Sequence, residues 1–463
     1  MTDALLHKAL AEASAGYVMA PAGCGKTEAI VQAVKNYCIG KQLILTHTHA
    51  GVGALKKRFK DNQVSQSKYH IETISGWALG WVSRYPKISK FSGSLPIPKN
   101  KEWSSVYEAA QNLLNKQFAQ WVIKNSYSGV IVDEYQDCSV PMHNLIITLK
   151  NILPCRILGD PLQGIFDFNE QLVDWNEVES QFTEIGQLTT PHRWIRAENK
   201  ILGDWLIQAR TAFLEKNHPD YNSSPIICQT VDAGSKAGLL QKLSRDLSGS
   251  ICIIGPKHGN YNQKLVSALV NAGFLMVEPN DLPDLKEFLE RIFTNDLATD
   301  QLAETALKFI SDSFSNFSKN KDFISKLLKG AIKRIPKEPK KLKLFEDHRF
   351  GYSHLLLLDT IKYFLSEKLK CKRYESIFCL RKILEQYLSA QEDASILFAN
   401  EIAYRKIIGK GRPNRCVGTT LLLKGLEFDH AIILYNSNDD AWKNLKDVYV
   451  AISRGCKSVY MIQ

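Results

Sequence analysis

The sequence predicts an α/β fold built on parallel sheets, and three local patterns predict it. An apolar strand, Gly16-Tyr17-Val18-Met19, runs into the loop Ala20-Pro21-Ala22-Gly23-Cys24-Gly25-Lys26-Thr27. A helical repeat follows, with Ala29, Ile30, Ala33 and Val34 on one face. A second apolar strand, Val130-Ile131-Val132, ends in Asp133-Glu134, and a third, Arg156-Ile157-Leu158-Gly159, ends in the polar turn Asp160-Pro161-Leu162-Gln163. Strands ending this way set their polar loops along a carboxyl edge, where ligands of open α/β sheets bind.

The chain has 463 residues, room for two large domains with insertions or for about three ordinary ones. A chain this long buries a sizeable core without disulfides. Hydrophobic residues are 44% and charged residues 23%, which excludes a disordered chain. The formal net charge of +11, with a pI near 9.0, favours a polyanionic partner. No apolar run reaches the roughly 18–20 residues of a membrane span. The run Ala431 to Tyr435 is bounded at once by His430 and Asn436. No basic stretch followed by an apolar segment opens the chain, so no signal peptide is expected. The ten cysteines form no C-x-x-C pair, which argues against a zinc or iron–sulfur centre. Free thiols fit a reducing cytosol, so a cytoplasmic location is expected.

Each polar loop suits one part of a nucleotide site. Gly23 and Gly25 let the main chain curl so that its N–H groups face phosphate oxygens, and the helix N-terminus adds favourable partial charge. The candidate cradle is Ala22, Gly23, Cys24, Gly25, Lys26 and Thr27; Lys26 suits the terminal phosphates and Thr27 suits Mg²⁺. Asp133 suits Mg²⁺ directly or through water, and Glu134 suits activation of the attacking water. Gln163 suits sensing of the terminal phosphate and coupling to the neighbouring segment.

Together these residues resemble a family. Asp133-Glu134-Tyr135-Gln136-Asp137, followed by Gly159-Asp160-x-x-Gln163, resembles motifs II and III of the superfamily 1 helicases of the UvrD/Rep/PcrA type. Ala20 to Thr27 resembles their motif I, A-x-A-G-x-G-K-T. Leu45 to His49 resembles motif Ia, and Ile71 to Gly76 the next DNA-contacting block. Leu188-Thr189-Thr190-Pro191-His192-Arg193 resembles motif IV, Gly418 to Asp429 motif V, and Tyr449-Val450-Ala451-Ile452-Ser453-Arg454 motif VI. The resemblance covers roughly 1–285 and 410–463.

The resemblance implies two RecA-like P-loop NTPase motor domains with parallel sheets, plus small helical insertions. The first would span 1–190, with an insertion at about 84–124; the second, 191–284 and 411–463; residues 285–410 would form a helical accessory insertion. ATP and Mg²⁺ are the implied cofactors. Lys26 and Thr27 would hold phosphate and Mg²⁺, with Asp133 as metal ligand and Glu134 as catalytic base. Gln163 and Arg193 would contact the γ-phosphate, His192 would stack on the base, and Glu427 would reach the nucleotide from the second motor domain. Arg454 would be the arginine finger across the cleft, a device worth about 10³–10⁵ in rate, so hydrolysis should depend on cleft closure. Thr46, His47, Thr73, Phe168 and Thr419 would contact DNA.

Several positions depart from the family pattern. Met1 to Ala15 holds no glutamine, so the adenine-reading motif is unmatched. His47 replaces a Phe, and His192 replaces an aromatic Tyr. Phe166-Asp167-Phe168 stands where the family has Tyr-Gly-Trp. Phe168 offers a smaller face for a stacking contact worth about 1–3 kcal/mol, so a weaker grip on single strands is expected.

The stretch from Ser83 to Lys124 carries Pro86, Pro96 and Pro98 and then a helical pattern through Ala109, Leu113 and Leu114, as in a reduced first accessory subdomain. Ile251 to Lys257 reads as a strand, followed by a helix with Val266, Leu269 and Val270. In the 285–410 stretch Leu285, Phe288, Leu289 and Ile292 share a helical face, as do Leu380, Ile383, Leu384 and Tyr387. Its basic run of Lys326, Lys329, Lys333, Arg334, Lys337, Lys340, Lys341 and Lys343 reads as phosphate contact or as a solvated face. The chain ends soon after the motif VI block, so no fused nuclease is expected.

The activity implied is an ATP-dependent 3′-to-5′ translocase or helicase acting on single-stranded DNA, or on DNA with a single-stranded end. The alternative is a nucleotide- and DNA-sensing ATPase subunit that regulates a partner nuclease. Small accessory regions and the missing Trp motivate it. Small stand-alone relatives of this architecture occur in anti-phage operons, such as the helicase subunit of Gabija. No membrane partner is expected.

Overall fold

The computed structural model describes residues 3–93, 102–165, 171–221, 224–232, 234–255, 263–279, 281–293, 297–315, 317–332, 344, 351–367, 369–390, 392–408, 413–436 and 442–463. By Cα proximity the chain divides into two compact bodies: Met1–Ile227 with Ser437–Val459, and Cys228–Asn436 with Tyr460–Gln463. This division does not coincide with the motif-based boundaries at 190/191 and 410/411. The helices His192–Arg196, Lys200–Leu214 and Leu445–Ile452 fall in the first body. The reason is a set of buried polar contacts, described below, that join them to the phosphate loop and to Asp160.

The first body holds a six-stranded sheet of β1 (Ala15–Met19), β2 (Gln42–Thr46), β3 (Tyr69–Thr73), β4 (Gly129–Val132), β5 (Cys155–Gly159) and β6 (Thr183–Gln187). Its order is β3-β2-β4-β5-β1-β6, and every pairing is parallel. Parallel strands need helical crossovers, which cover both faces, so the central strands are continuous apolar runs. Gln42-Leu43-Ile44-Leu45-Thr46 is buried throughout, as is Gly129-Val130-Ile131-Val132.

Side chains still alternate between the two faces. Leu43, Leu45, Val130, Val132 and Ile157 join one core with Trp77, Trp81, Val106 and Leu145. Ile44, Ile131 and Leu158 join the other with Ala29, Ile30, Val34, Leu55 and Phe59. The helix Trp103–Leu114 contributes Val106, Ala110, Leu113 and Leu114 to the first of these cores. It therefore packs against one face of the sheet. Pro96 and Pro98 lie outside the described residues.

The second sheet comprises β7 (Ile227–Gln229), β8 (Ile251–Gly255), β9 (Leu275–Met276), β10 (Arg415–Thr419), β11 (Phe428–Leu434) and β12 (Gly455–Ile462), in the order β7-β12-β11-β8-β10-β9. The β8–β10, β9–β10 and β8–β11 pairings are parallel. The fold class is thus α/β with two six-stranded sheets, as expected. Between β9 and β10 lie helices with a core of their own, built on Leu285, Phe288, Leu289, Ile292, Leu380, Ile383 and Leu384. Phe288 and Phe309 stack there at 4.0 Å. Of the basic run, Lys326 and Lys329 are described; Lys333, Arg334, Lys337, Lys340, Lys341 and Lys343 lie outside the described residues.

Candidate nucleotide site

The parallel sheet of the first body brings the ends of β1, β2, β3, β4 and β5 to one edge. There follow, respectively, the glycine loop, His47, the helix capped by Thr73, Asp133-Glu134 and Asp160. In the loop, Gly23 and Gly25 adopt positive φ of 69° and 86°. A Cβ on Gly23 would lie 2.6 Å from a Trp194 ring carbon, so close approach as well as conformation demands glycine. Gly25 immediately precedes the helix Lys26–Asn36. Cys24 is buried, and that burial pushes its thiol up to about 12, leaving it neutral.

Lys26 Nζ lies 2.6 Å from Glu134 Oε2. Burial alone would lower the Lys26 pKa, but the Glu134 and Asp133 carboxylates outweigh it and hold the ammonium above its ordinary value. Asp133 is buried; burial first, and the Glu134 charge second, raise its carboxyl well above the usual range. Glu134 itself sits at φ 56°, a left-handed conformation uncommon for a non-glycine residue, and its N–H donates to Asp133 Oδ1 at 2.9 Å. Thr27 is half-buried one residue beyond Lys26. A hydroxyl and a buried carboxylate are hard oxygen donors, which suit Mg²⁺. Among the described residues there is no group of three or more His, Cys, Asp or Glu side chains placed to hold a metal ion.

A chain of contacts extends from this pair. Gln136 Nε2 donates to Glu134 Oε2 at 2.5 Å, while its Oε1 accepts from the Asp160 N–H at 3.0 Å. Gln163 Nε2 donates to Asp160 Oδ2 at 2.8 Å. On the other side of the loop, the Arg193 N–H donates to Gly23 O at 3.1 Å, and a Cβ on Gly25 would lie 3.1 Å from the His192 ring. His192 Nε2 is 3.2 Å from Asp3 Oδ2. Arg193 Nη1 donates to Ser453 O at 2.6 Å, and Trp194 Nε1 to Gly455 O at 2.9 Å. Arg454 is buried; its Nε donates to Val450 O at 2.9 Å and its Nη2 to Ser453 Oγ at 2.7 Å. The structure thus links Gly23, Lys26, Glu134, Gln163, Arg193 and Arg454 through short contacts inside one body.

Arg210 was not singled out from sequence, and Tyr449 was read only as the first residue of the motif VI block. Arg210 Nη1 donates to Asp160 Oδ1 at 2.8 Å and to Tyr449 Oη at 3.0 Å, and Tyr449 Oη lies 3.1 Å from Asp160 Oδ2. Burial works against the Arg210 cation, but Asp160 and Tyr449 hold its pKa above the ordinary value. The available signal was a charge on an apolar stripe: Leu206, Ala209, Arg210 and Phe213 share one buried helix face.

The expected DNA contacts divide by body. Thr46 ends β2 and is buried, as is Thr73, whose hydroxyl accepts from the Gly76 N–H at 2.9 Å. Beside β3 runs a groove of about 1060 Å³ lined by His49, Lys56, Lys60, Tyr69, His70 and Thr73. Thr419 ends β10 in the second body, where Glu427 directly precedes β11. Phe168 lies outside the described residues.

No family model matches the chain. Over 83 residues, 17% of this chain and 17% of the relative, it is 32% identical to Gabija protein GajB of Bacillus cereus strain VD045. Among solved structures it is similar to arterivirus nonstructural protein 10 (helicase) with DNA, at 9% identity and a TM-score of 0.36, covering all of this chain and 63% of that one. The crystal structure of the same helicase gives 10% identity and a TM-score of 0.38, covering 61% of that chain. The chain therefore spans less than two thirds of each of these proteins. No described helix is long and apolar enough to cross a membrane.

Proposed function

We propose that this chain is a nucleic-acid-dependent ATP hydrolase, and specifically a 3′-to-5′ single-stranded DNA translocase or helicase of UvrD-like type working in the cytoplasm. The observation that carries the reading is the 2.6 Å pair between Lys26 and Glu134, which joins the phosphate loop to the acidic strand end. The motor domains in this reading are 1–190 and 191–284 with 411–463, with 285–410 as accessory insertion. ATP with Mg²⁺ supplies the phosphoryl group that is transferred to water.

Lys26 and the loop N–H groups bind the triphosphate, and Thr27 and Asp133 hold the cation. Lys26 Nζ engages Glu134 Oε2; a Lys26 drawn to an anion leaves that oxygen open to orient and deprotonate water. Gln163 and Arg193 hold the terminal phosphate, His192 the base, and Arg454 meets the developing charge. Glu427 contacts the nucleotide from the second motor domain. Thr46, His47, Thr73, Phe168 and Thr419 contact the strand.

The test is ATP turnover with and without single-stranded DNA. We expect stimulation in the wild type, and turnover abolished in Lys26→Ala with the circular dichroism spectrum retained. Arg454→Lys should keep nucleotide binding and lose turnover. A folded, pure wild type without stimulation would remove the motor reading. The local similarity to Gabija protein GajB supports a second reading, a nucleotide- and DNA-sensing subunit that licenses a partner nuclease in anti-phage defence. Strand separation by the isolated chain favours the first reading, and separation only with a co-purifying nuclease favours the second.

A further inference from the structure

Two stretches of the first body contain no acidic residue, Thr73 to Lys101 and Ala109 to Val132. They meet on the surface at the short helix Pro86–Ser89 and the helix Gln117–Ser126. The Tyr85 ring, at the N-terminus of the short helix, lies 5.2 Å from Phe118. Tyr85 also stacks on Trp81 at 5.9 Å, and Trp81 lies 6.0 Å from Trp77. Since Trp77 and Trp81 belong to the core, this ladder of rings fixes Phe118 at the surface. Trp121 lies one turn beyond on the same helix face and is 68% exposed. Trp121 and Phe118 together present two aromatic rings to solvent on one helix face.

The rim identifies the occupant. Lys116 precedes the helix, Lys124 sits a turn beyond Trp121 on the aromatic face, and Lys87 and Lys90 flank the Tyr85 side; all four are exposed. Flat apolar rings with four exposed lysines around them suit a polyanion that carries its own flat rings. A second copy of a chain with a net charge of +11 is disfavoured there by like-charge repulsion.

We propose that Phe118 and Trp121, with Lys116 and Lys124, form a stacking platform for single-stranded nucleic acid. The platform is additional to the contacts at the strand ends, and it rests on the nucleic-acid-dependent reading above. The helix leads through Tyr127 into β4, which ends at Asp133, and Tyr127 Oη is 2.5 Å from His70 Nδ1 on β3. The helix is thus joined to the amino ends of β3 and β4, whose opposite ends carry Thr73 and Asp133.

The experiment uses the full chain and an oligothymidylate carrying 5-iodouracil. Photo-crosslinking with peptide mapping should mark the 117–126 segment. Trp121→Ala should weaken oligonucleotide binding roughly five- to hundred-fold with DNA-independent turnover unchanged. Lys124→Gln should flatten the slope of log affinity against log salt by about 0.7. Normal oligonucleotide binding and stimulation without a crosslink there, and with unaltered affinity in Trp121→Ala, overturns the platform alone. No binding and no stimulation by any oligonucleotide removes the motor reading and the platform with it. A dimer seen by sedimentation and lost in Trp121→Ala would assign the patch to a second copy and overturn the proposal.

Discussion

Asp160 shows how much a single side chain is asked to hold. It is fully buried, and its carboxylate accepts from the Leu162 N–H at 3.2 Å, from Gln163 at 2.8 Å and from Arg210 at 2.8 Å, with Tyr449 Oη at 3.1 Å. A buried carboxylate costs several kcal/mol unless its oxygens are satisfied and its charge is paired. Here the partners come from a turn, a helix and the motif VI-like segment, so one charge orients the candidate sensor Gln163 and anchors the helix that precedes Arg454. Removing only the cation is accordingly worse than removing the pair. Arg210→Met should cost about 3–5 kcal/mol, read as a fall in the urea midpoint at constant slope. Asp160→Asn combined with Arg210→Met should recover part of that loss. Tyr449→Phe should cost only about 1 kcal/mol. If the double variant is no more stable than Arg210→Met, the charge is not what makes this cluster matter.

At the level of elements, the strands legible in the sequence were buried ones, although the equally buried β2 was read only through the motif at its end. β4 is an unbroken apolar run with a polar end, β5 is apolar apart from the buried Arg156, and β1 was marked by the glycine loop behind it. The edge strands β3 and β6, Tyr69-His70-Ile71-Glu72-Thr73 and Thr183-Glu184-Ile185-Gly186-Gln187, are mixed in polarity because each lacks a neighbour on one side. Helical periodicity found apolar faces but not their partners. Trp103–Leu114 reads as amphipathic whether it covers the main sheet or a separate subdomain, and only the structure assigns it to the sheet. The same reasoning left the role of Arg210 unread, since its partners are 50 and 239 residues away.

One element carries a pH-dependent contribution of known sign. His354 opens the helix His354–Ser366; its ring stacks on Phe293 at 4.3 Å, and its Nε2 donates to Ile292 O at 3.1 Å. Burial lowers its pKa below 6.5, against the opposing pull of that carbonyl. Between the lowered folded value and the unfolded value the unfolded chain binds more protons. The stabilisation is therefore complete above about 6.5 and is lost as pH falls below it. Hydrogen exchange in residues 354–366 should quicken on acidification, and His354→Phe should flatten that dependence. The readout has to be local, because His143 in the first body shifts in the same direction.

For the whole molecule the governing quantity is the net charge of +11 and whether it is organised or diffuse. Diffuse charge attracts a polyanion without a track, and any one lysine then contributes little to the salt dependence. An organised track concentrates the effect. The groove beside β3 presents Lys56 and Lys60, and the platform presents Lys116 and Lys124. A single strand that neutralises one phosphate on each of these four gives a slope of log affinity against log salt of about −0.7 × 4 ≈ −2.8. Binding of oligothymidylate measured between 50 and 200 mM salt should approach that slope, and Lys56→Gln and Lys124→Gln should each reduce it by about 0.7 and add in combination. The two substitutions lie on different helices, so additivity is the expected result for a strand that touches both. A slope unmoved by either would mean the positive charge acts only as a field, and the strand would then have to run elsewhere on the protein.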